Sequence, residues 1–278
     1  MKIAVVPNLT KKKAQACTEE TVSVLESCGC EVLLKNDLFD QNGVFRENEE
    51  DSLRSCDILI AIGGDGTIIH TAKLAAKYGK PILGINAGTL GFTAGLEPEE
   101  LSLLRNLLDG RCREEKRLIL SVRLFSQEKT ASYQALNDAV VSGERTSIID
   151  YWMALGENAG YRCRADGFIV ATPTGSTAYS LSAGGPVIQP DMDCLVYTPV
   201  CPHALFNRSV VFGGDTRLTV TIPENMHRLF LTVDGEAPIP LQTGDRLVFS
   251  RSEQTARFLK LAQKDFYDVL NQKIIETR

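Results

Sequence analysis

The 278-residue chain has no apolar run long enough to cross a membrane as a helix. Such a span needs roughly 18 consecutive apolar residues, and the longest candidate, Ile58 to Ile62, is the length of one buried strand. The N-terminal MKIAVVPN is too short for a signal peptide, and the terminal IIETR resembles no lipidation or retention signal. Eight cysteines are scattered with no C-x-x-C, only Cys28 and Cys30 in C-G-C, so reduced thiols in the cytoplasm are expected rather than disulfides or a zinc site. Histidines are few. His70 stands in a helical stretch, His203 lacks partners at metal-ligand spacing and reads as structural, and His227 reads as a turn residue. With no Ser-His-Asp set to be located, hydrolase chemistry is unsupported. There is no G-x-x-x-x-G-K-[ST] loop, and the dinucleotide fingerprint fails because Gly64-x-Gly66 is followed by Ile69 where a glycine is required. Basic residues are not in excess: 30 Lys+Arg against 35 Asp+Glu give a net charge of −5, which argues against a general nucleic-acid binder and leaves room only for local phosphate recognition.

What is present is ordinary globular composition, 44% hydrophobic and 23% charged, over a length that suggests about two domains. The first third alternates strand and helix signals. Lys2 to Val6, Glu31 to Leu34, Asp57 to Ile62 and Pro81 to Ile85 read as strands, with helical stretches at Ala14 to Leu25, Ile68 to Tyr78 and Pro98 to Leu108. That alternation means a parallel α/β sheet. From about residue 112 the chain reads as strands separated by turns: Leu118 to Phe125, Tyr133 to Val141, Asp150 to Leu155, Arg164 to Ala171, Val210 to Ile222 and Arg228 to Val233. Asp234-Gly235 and Gly244-Asp245 are turn signals, and a short helix follows Gly175. From Glu253 the pattern reverts to helix, with Phe258, Leu261, Ala262, Phe266, Val269, Leu270 and Ile274 on one stripe. The expected division is an α/β domain of residues 1–112 and 250–278 around a β domain of residues 113–249.

Chemistry concentrates in glycine-rich blocks. In GGDGT (Gly63 to Thr67) two glycines follow a buried strand, so backbone N–H groups can approach a ligand, and the next helix offers its positive end to phosphate. Asp65 would repel phosphate; it suits a group that accepts a hydroxyl proton or holds a bridging metal, or it merely caps the helix. Asn86 to Gly95 is a second glycine cluster. Arg164-Ala165-Asp166-Gly167 and TPTGSTAYS (Thr172 to Ser180) bring a cation, an acceptor, hydroxyls and one aromatic together. Asn137-Asp138 offers a donor–acceptor amide and a carboxylate suited to a base edge and a ribose, or a simple bulge.

Taken in order, GGDGT, GINAGTLGF, LNDAVV, RADGFIVATPTGSTAYSLSAGGPVI and TPVCPHAL resemble the bacterial type of NAD kinase, from Val5 to Asp234-Gly235. GGDGT is shared with lipid kinases and phosphofructokinases; the TPTGSTAYSLSAGGP block is far more specific. The resemblance implies an N-terminal Rossmann-like parallel α/β domain, a C-terminal antiparallel β-sandwich domain carrying most NAD contacts, and a last helix returning to the first domain. It implies transfer of the ATP γ-phosphoryl group to the 2′-hydroxyl of the adenosine ribose of NAD, with Mg²⁺ accompanying ATP, and assembly as a homodimer or homotetramer. Asp65 would activate the hydroxyl, with Gly66 beside it and His70 where the family often has a basic residue. Asn137 and Asp138 would contact the adenosine; Arg164, Asp166, Thr177, Ala178, Tyr179 and Ser182 would complete the binding surface. Two positions depart from the pattern: Ala87 after Asn86, where many members carry a larger side chain, and Glu236 after Asp234-Gly235, where Gln is frequent.

Overall fold

The computed structural model describes residues 1–42, 44, 51–88, 91–127, 129–144, 147–203, 207–223, 228–261 and 264–276, with the backbone alone at 51 and 274–276. His227, Ala262 and the Thr89-Leu90 step of the second glycine cluster lie outside the described residues, as does the Ile274 side chain. The chain divides into two compact units, Met1–Lys116 with Ala256–Arg278, and Arg117–Thr255.

In the first unit, β1 (Lys2–Pro7), β2 (Glu31–Leu34), β3 (Ile58–Gly63) and β4 (Pro81–Asn86) form a parallel sheet in the order β2-β1-β3-β4. β3 is buried at every position, which explains its unbroken ILIAIG run: a strand covered on both faces has no polar side. On one face α1 (Ala14–Ser27) sends Ala14, Cys17 and Leu25 against Ile3, Val5, Ile58 and Ile60. A 3₁₀ helix (Pro98–Leu103) and α4 (Leu104–Leu108) add Leu101, Leu104 and Leu107 to the same core. Each such side chain contributes about 1.5–3 kcal/mol by leaving water. α3 (Asp65–Lys77) packs on β3 and β4. A short α2 (Asp51–Arg54) precedes β3.

The second unit is a sandwich of antiparallel strands. One sheet contains β6 (Thr130–Ala135), β5 (Arg113–Phe125), β16 (Arg246–Lys260), β13 (Leu218–Thr221), β8 (Ile149–Leu155) and β9 (Tyr161–Ala165), in that order. The other runs β12 (Val210–Gly213), β11 (Cys194–Val200), β10 (Gly167–Ala171), β7 (Asp138–Gly143), β14 (Leu229–Val233), β15 (Ile239–Leu241). Alternation along β8 and β14 turns every second residue inward, as a half-buried strand requires. Phe168 lies at the middle of the core, 4.7 Å from the Tyr151 ring and 5.9 Å from Tyr197, whose hydroxyls bond each other at 2.5 Å. Burial pushes both phenols far above their ordinary range.

Four expected elements differ. The helix expected from Glu253 is strand as far as Lys260; helix resumes only at α6 (Phe266–Glu276). β16 belongs to both units: Leu218 to Thr221 of β13 pair with Phe249 to Arg246, while Arg257 and Phe258 pair with Pro81 and Ile82 of β4. Those partners are distant in sequence, and a local periodicity cannot register them. Tyr133 to Val141, Arg164 to Ala171 and Val210 to Ile222 are each two strands, broken at Leu136-Asn137, at Asp166 and between Gly213 and Leu218. β11, buried at six of its seven positions, is a strand outside those expected from the sequence. As the family resemblance implied, the last helix returns to the first unit, where the Phe92 and Phe266 rings lie 5.9 Å apart and the Lys273 ammonium sits 4.5 Å over Phe92.

Candidate active site

In the first unit, β3 stops at Gly63 and α3 starts at Asp65, so GGDGT is the bend at the carboxyl end of a central parallel strand. Open α/β sheets bind ligands at that end. The N-cap is Gly64, with no side-chain cap, so Asp65 is not the capping residue. Its carboxylate instead reaches the segment after β4. Oδ1 accepts the Thr93 N–H at 3.1 Å and the Thr93 hydroxyl at 2.5 Å, and Oδ2 accepts the Phe92 N–H at 3.2 Å. Each carboxylate oxygen can accept about two hydrogen bonds, so Oδ1 is saturated and, among the described residues, Oδ2 keeps one acceptor site. Gly91 is required for this: a Cβ there would stand 2.3 Å from Asp65 Oδ1. The two glycine blocks are also tied by the Ala87 N–H, which donates to the Gly63 carbonyl at 2.9 Å. Asn8, following β1, donates to Thr67 Oγ1 at 3.2 Å. Gly66 is exposed and His70, one turn on, is half-buried.

In the second unit, the two residues between β6 and β7 are clamped from both sides. The Asp234 carboxylate accepts the N–H groups of Leu136 (2.9 Å), Asn137 (2.8 Å) and Asp138 (3.1 Å). The Leu136 carbonyl accepts the Thr172 hydroxyl at 2.5 Å, and the Asn137 carbonyl accepts the Thr172 N–H at 2.8 Å. Gly175 lies so close that a Cβ would come within 2.0 Å of the Asn137 carbonyl oxygen. With the main chain satisfied, the side chains are spare. Among the described residues neither the Asn137 amide nor the Asp138 carboxyl has a hydrogen-bond partner. Asp138 is only 6% exposed, and burial, reinforced by the nearby Asp234 charge, pushes its carboxyl up to about 7. Asn137 is half-buried, and the two side chains are left available to a ligand's polar groups.

TPTGSTAYS divides by direction. Thr172, Thr174, Ser176 and Ser180 are buried and hold the loop: Ser176 Oγ donates to the Pro173 carbonyl at 2.7 Å and accepts the Ile188 N–H at 3.0 Å, and Ser180 Oγ meets Thr198 Oγ1 at 2.9 Å. Thr177 and Ala178 are half-buried, Tyr179 is 47% exposed at the start of α5 (Tyr179–Ser182), and Ser182 is exposed. Arg164 and Asp166 do not pair with each other. Arg164 Nε lies 3.4 Å from Asp150 Oδ1 across the β8–β9 ladder, and Asp166 Oδ1 lies 3.6 Å from His203 Nε2.

Family models for the ATP-NAD kinase N-terminal domain and the ATP-NAD kinase C-terminal domain match residues 3–112 and 136–261. The chain belongs to the ATP-NAD kinase family. It is 42% identical to the NAD kinase of Symbiobacterium thermophilum over 99% of both chains, and 34% identical to that of Caldanaerobacter subterraneus subsp. tengcongensis over 99% of both. Its fold is similar to an NAD kinase from Archaeoglobus fulgidus solved in complex with ATP, with a TM-score of 0.78, 26% identity, and 98% of each chain covered. It also matches yeast NADH kinase solved with NADH, with a TM-score of 0.85, 22% identity, and 99% of this chain and 87% of that one covered. Both domains of an ATP-NAD kinase are therefore present, an α/β sheet domain and an antiparallel β domain.

Against this kinase fold, sequence reading passed over three residues. Thr93 sits in a block read for its glycines, yet it supplies two of the three donors to Asp65. Asp234 was visible only as half of a turn signal. His203, read as structural, stands beside Asp166 and is 48% exposed at its side chain. For Asp234 the signal was available: Asp-Gly is a favoured pair in a tight hairpin turn, and an aspartate side chain in a turn can accept hydrogen bonds from nearby amides.

Proposed function

We propose that this chain is an NAD kinase, moving the γ-phosphoryl group of ATP to the 2′-hydroxyl of the adenosine ribose of NAD to give NADP. Family membership and the named relatives support the reaction. The observation that carries the residue assignment is Asp65, held at a strand end by three donors among the described residues, which leave one acceptor site on Oδ2. That oxygen takes the proton of the attacking hydroxyl as the oxygen closes on phosphorus. Phosphoryl transfer asks little more of the protein than positioning and charge stabilisation. The N-terminus of α3 offers its positive end to the phosphates, and a Cβ at Gly66 would meet nothing within 4 Å, leaving that end accessible. His70 adds a donor one turn on.

The second unit carries most of the dinucleotide contacts in this reading. Asn137 presents donor and acceptor to the base edge and Asp138 meets the ribose hydroxyls; Arg164, Asp166, Thr177, Ala178, Tyr179 and Ser182 form the rest of the surface. Among the described residues no three His, Cys, Asp or Glu side chains converge as a metal cluster, and ATP is taken as its Mg²⁺ complex. We place the enzyme in the cytoplasm as a homodimer or homotetramer; eight unpaired thiols suit a reducing compartment. The test is Asp65→Asn with NAD, ATP and Mg²⁺, following NADP. Turnover falls by at least about 10² while NAD affinity is kept. Near-normal turnover removes Asp65 from the mechanism.

A further inference from the structure

The N–H edge of the main chain from Leu136 to Asp138 is held by one side chain. Three successive N–H groups converge on a single carboxylate, Asn137 and Asp138 on Oδ1 and Leu136 on Oδ2. The Asp234 N–H returns the contact to the Asp138 carbonyl at 2.9 Å. Asp234 and Gly235 have φ of 46° and 71°, and the Glu236 N–H closes on the Val233 carbonyl at 2.9 Å. Two central residues at positive φ identify a mirror-image hairpin turn, in which Asn-Gly and Asp-Gly are the favoured pairs. The turn alone would accept Asn. All three incoming groups are donors, so only a carboxylate can accept on both oxygens.

We propose that Asp234 is a positioning residue for dinucleotide binding: it sets the main chain of Leu136–Asp138 so that the Asn137 amide and Asp138 carboxyl face the adenosine. This rests on the reading of Asn137 and Asp138 as adenosine contacts. Asp234 itself need not touch the substrate. The side chains it aims are the two that lack partners of their own, whereas the Thr172 and Gly175 contacts hold the opposite, carbonyl edge of the same segment. Removing the carboxylate frees one edge of a two-edged clamp.

The experiment compares Asp234→Asn, Asp234→Gly and Asn137→Ala with the parent enzyme, measuring kcat, KM for NAD and for ATP, NAD binding by calorimetry, and melting temperature. Asp234→Asn keeps the turn and two of the three bonds but sets an amide N–H against that of Leu136; Asp234→Gly keeps positive φ and loses all three. The expected result is a rise in the Kd and KM for NAD of about threefold for Asn and at least about tenfold for Gly, with kcat within about twofold and KM for ATP unchanged. Should Asp234→Gly yield no folded protein, Asp234→Asn decides on the same numbers. A lowered melting temperature with unchanged Kd and KM for NAD in folded Asp234 variants, alongside an Asn137→Ala defect, overturns the proposal and leaves the adenosine reading intact. Asn137→Ala with unchanged NAD binding overturns both.

Discussion

Replacing Asp138 with Asn should change how the stability of the second unit depends on pH, in a direction set by burial. An aspartate ordinarily titrates near 3.8; in the fold Asp138 is pushed up to about 7, first by burial and then by the neighbouring Asp234 charge. Between those values the unfolded chain has lost this proton and the folded chain keeps it, so folding takes up a proton and stability falls as pH rises. Each pH unit in the window is worth about 1.4 kcal/mol, so raising the pH from below 4 to above 7 costs the fold about 4 kcal/mol through this one group. The contribution is fully present below the unfolded value and is lost as pH rises through the folded one. Asn cannot ionise, and Asp138→Asn removes the dependence. Trp152, the single tryptophan, lies on β8 in the second unit and gives a local fluorescence signal for unfolding by denaturant. Measured at intervals from pH 5 to 8, variant minus parent stability should climb by about 3 kcal/mol, because contributions of the other groups cancel in the difference. The offset at any one pH is immaterial; the slope carries the test. Parallel curves for parent and variant would refute the burial argument.

Thr93→Val keeps both backbone donors to Asp65 and removes the hydroxyl; kcat should fall by about tenfold with KM for NAD unchanged, and an unaltered kcat would show that the hydroxyl has no part in holding the base. Gly175→Ala drives a methyl against the Asn137 main chain, which cannot move aside as a side-chain tip could. The expected loss is about 1–3 kcal/mol, read as a drop in melting temperature accompanied by weaker NAD binding, and a variant with parental values for both would show that the loop shifts freely.

Much of this architecture was legible because its signals are local. A run such as Ile58 to Ile62 ending in Gly-Gly can only be a buried strand entering a tight bend, and α3 follows from the apolar spacing behind it. The ordered motif blocks carried the family. Signals that depend on distant partners were not legible. Ser252 to Lys260 is compatible with helix or strand, and what marks it as strand is pairing of Arg257 and Phe258 with Pro81 and Ile82 of β4, about 176 residues earlier in the chain. The hydroxyls of TPTGSTAYS and of Ser182 beyond it look alike in sequence; only the fold separates Thr172, Ser176 and Ser180, buried and spent on internal bonds, from exposed Ser182, with half-buried Thr177 between them, its hydroxyl donating to the Thr174 carbonyl at 3.2 Å. The role of Asp65 could be guessed from its type, but not its holding by Phe92 and Thr93, because those contacts cross 27 and 28 residues of chain.

The strand β16 has a consequence for how the protein is made. The first unit is begun at Met1 but needs Ala256–Arg278 to finish, so its β4 edge and the core around Leu83 and Ile85 stay without Phe258, Leu259 and Leu261 while the whole second unit is synthesised. An uncovered edge strand is a template for unwanted pairing. During translation the nascent α/β half therefore passes through a stage with an open sheet edge, which closes only when the last strand is released. Ribosome-bound chains stalled before residue 256 should be the aggregation-prone form of this protein, and any truncation in the final strand strikes the half of the molecule that was translated first.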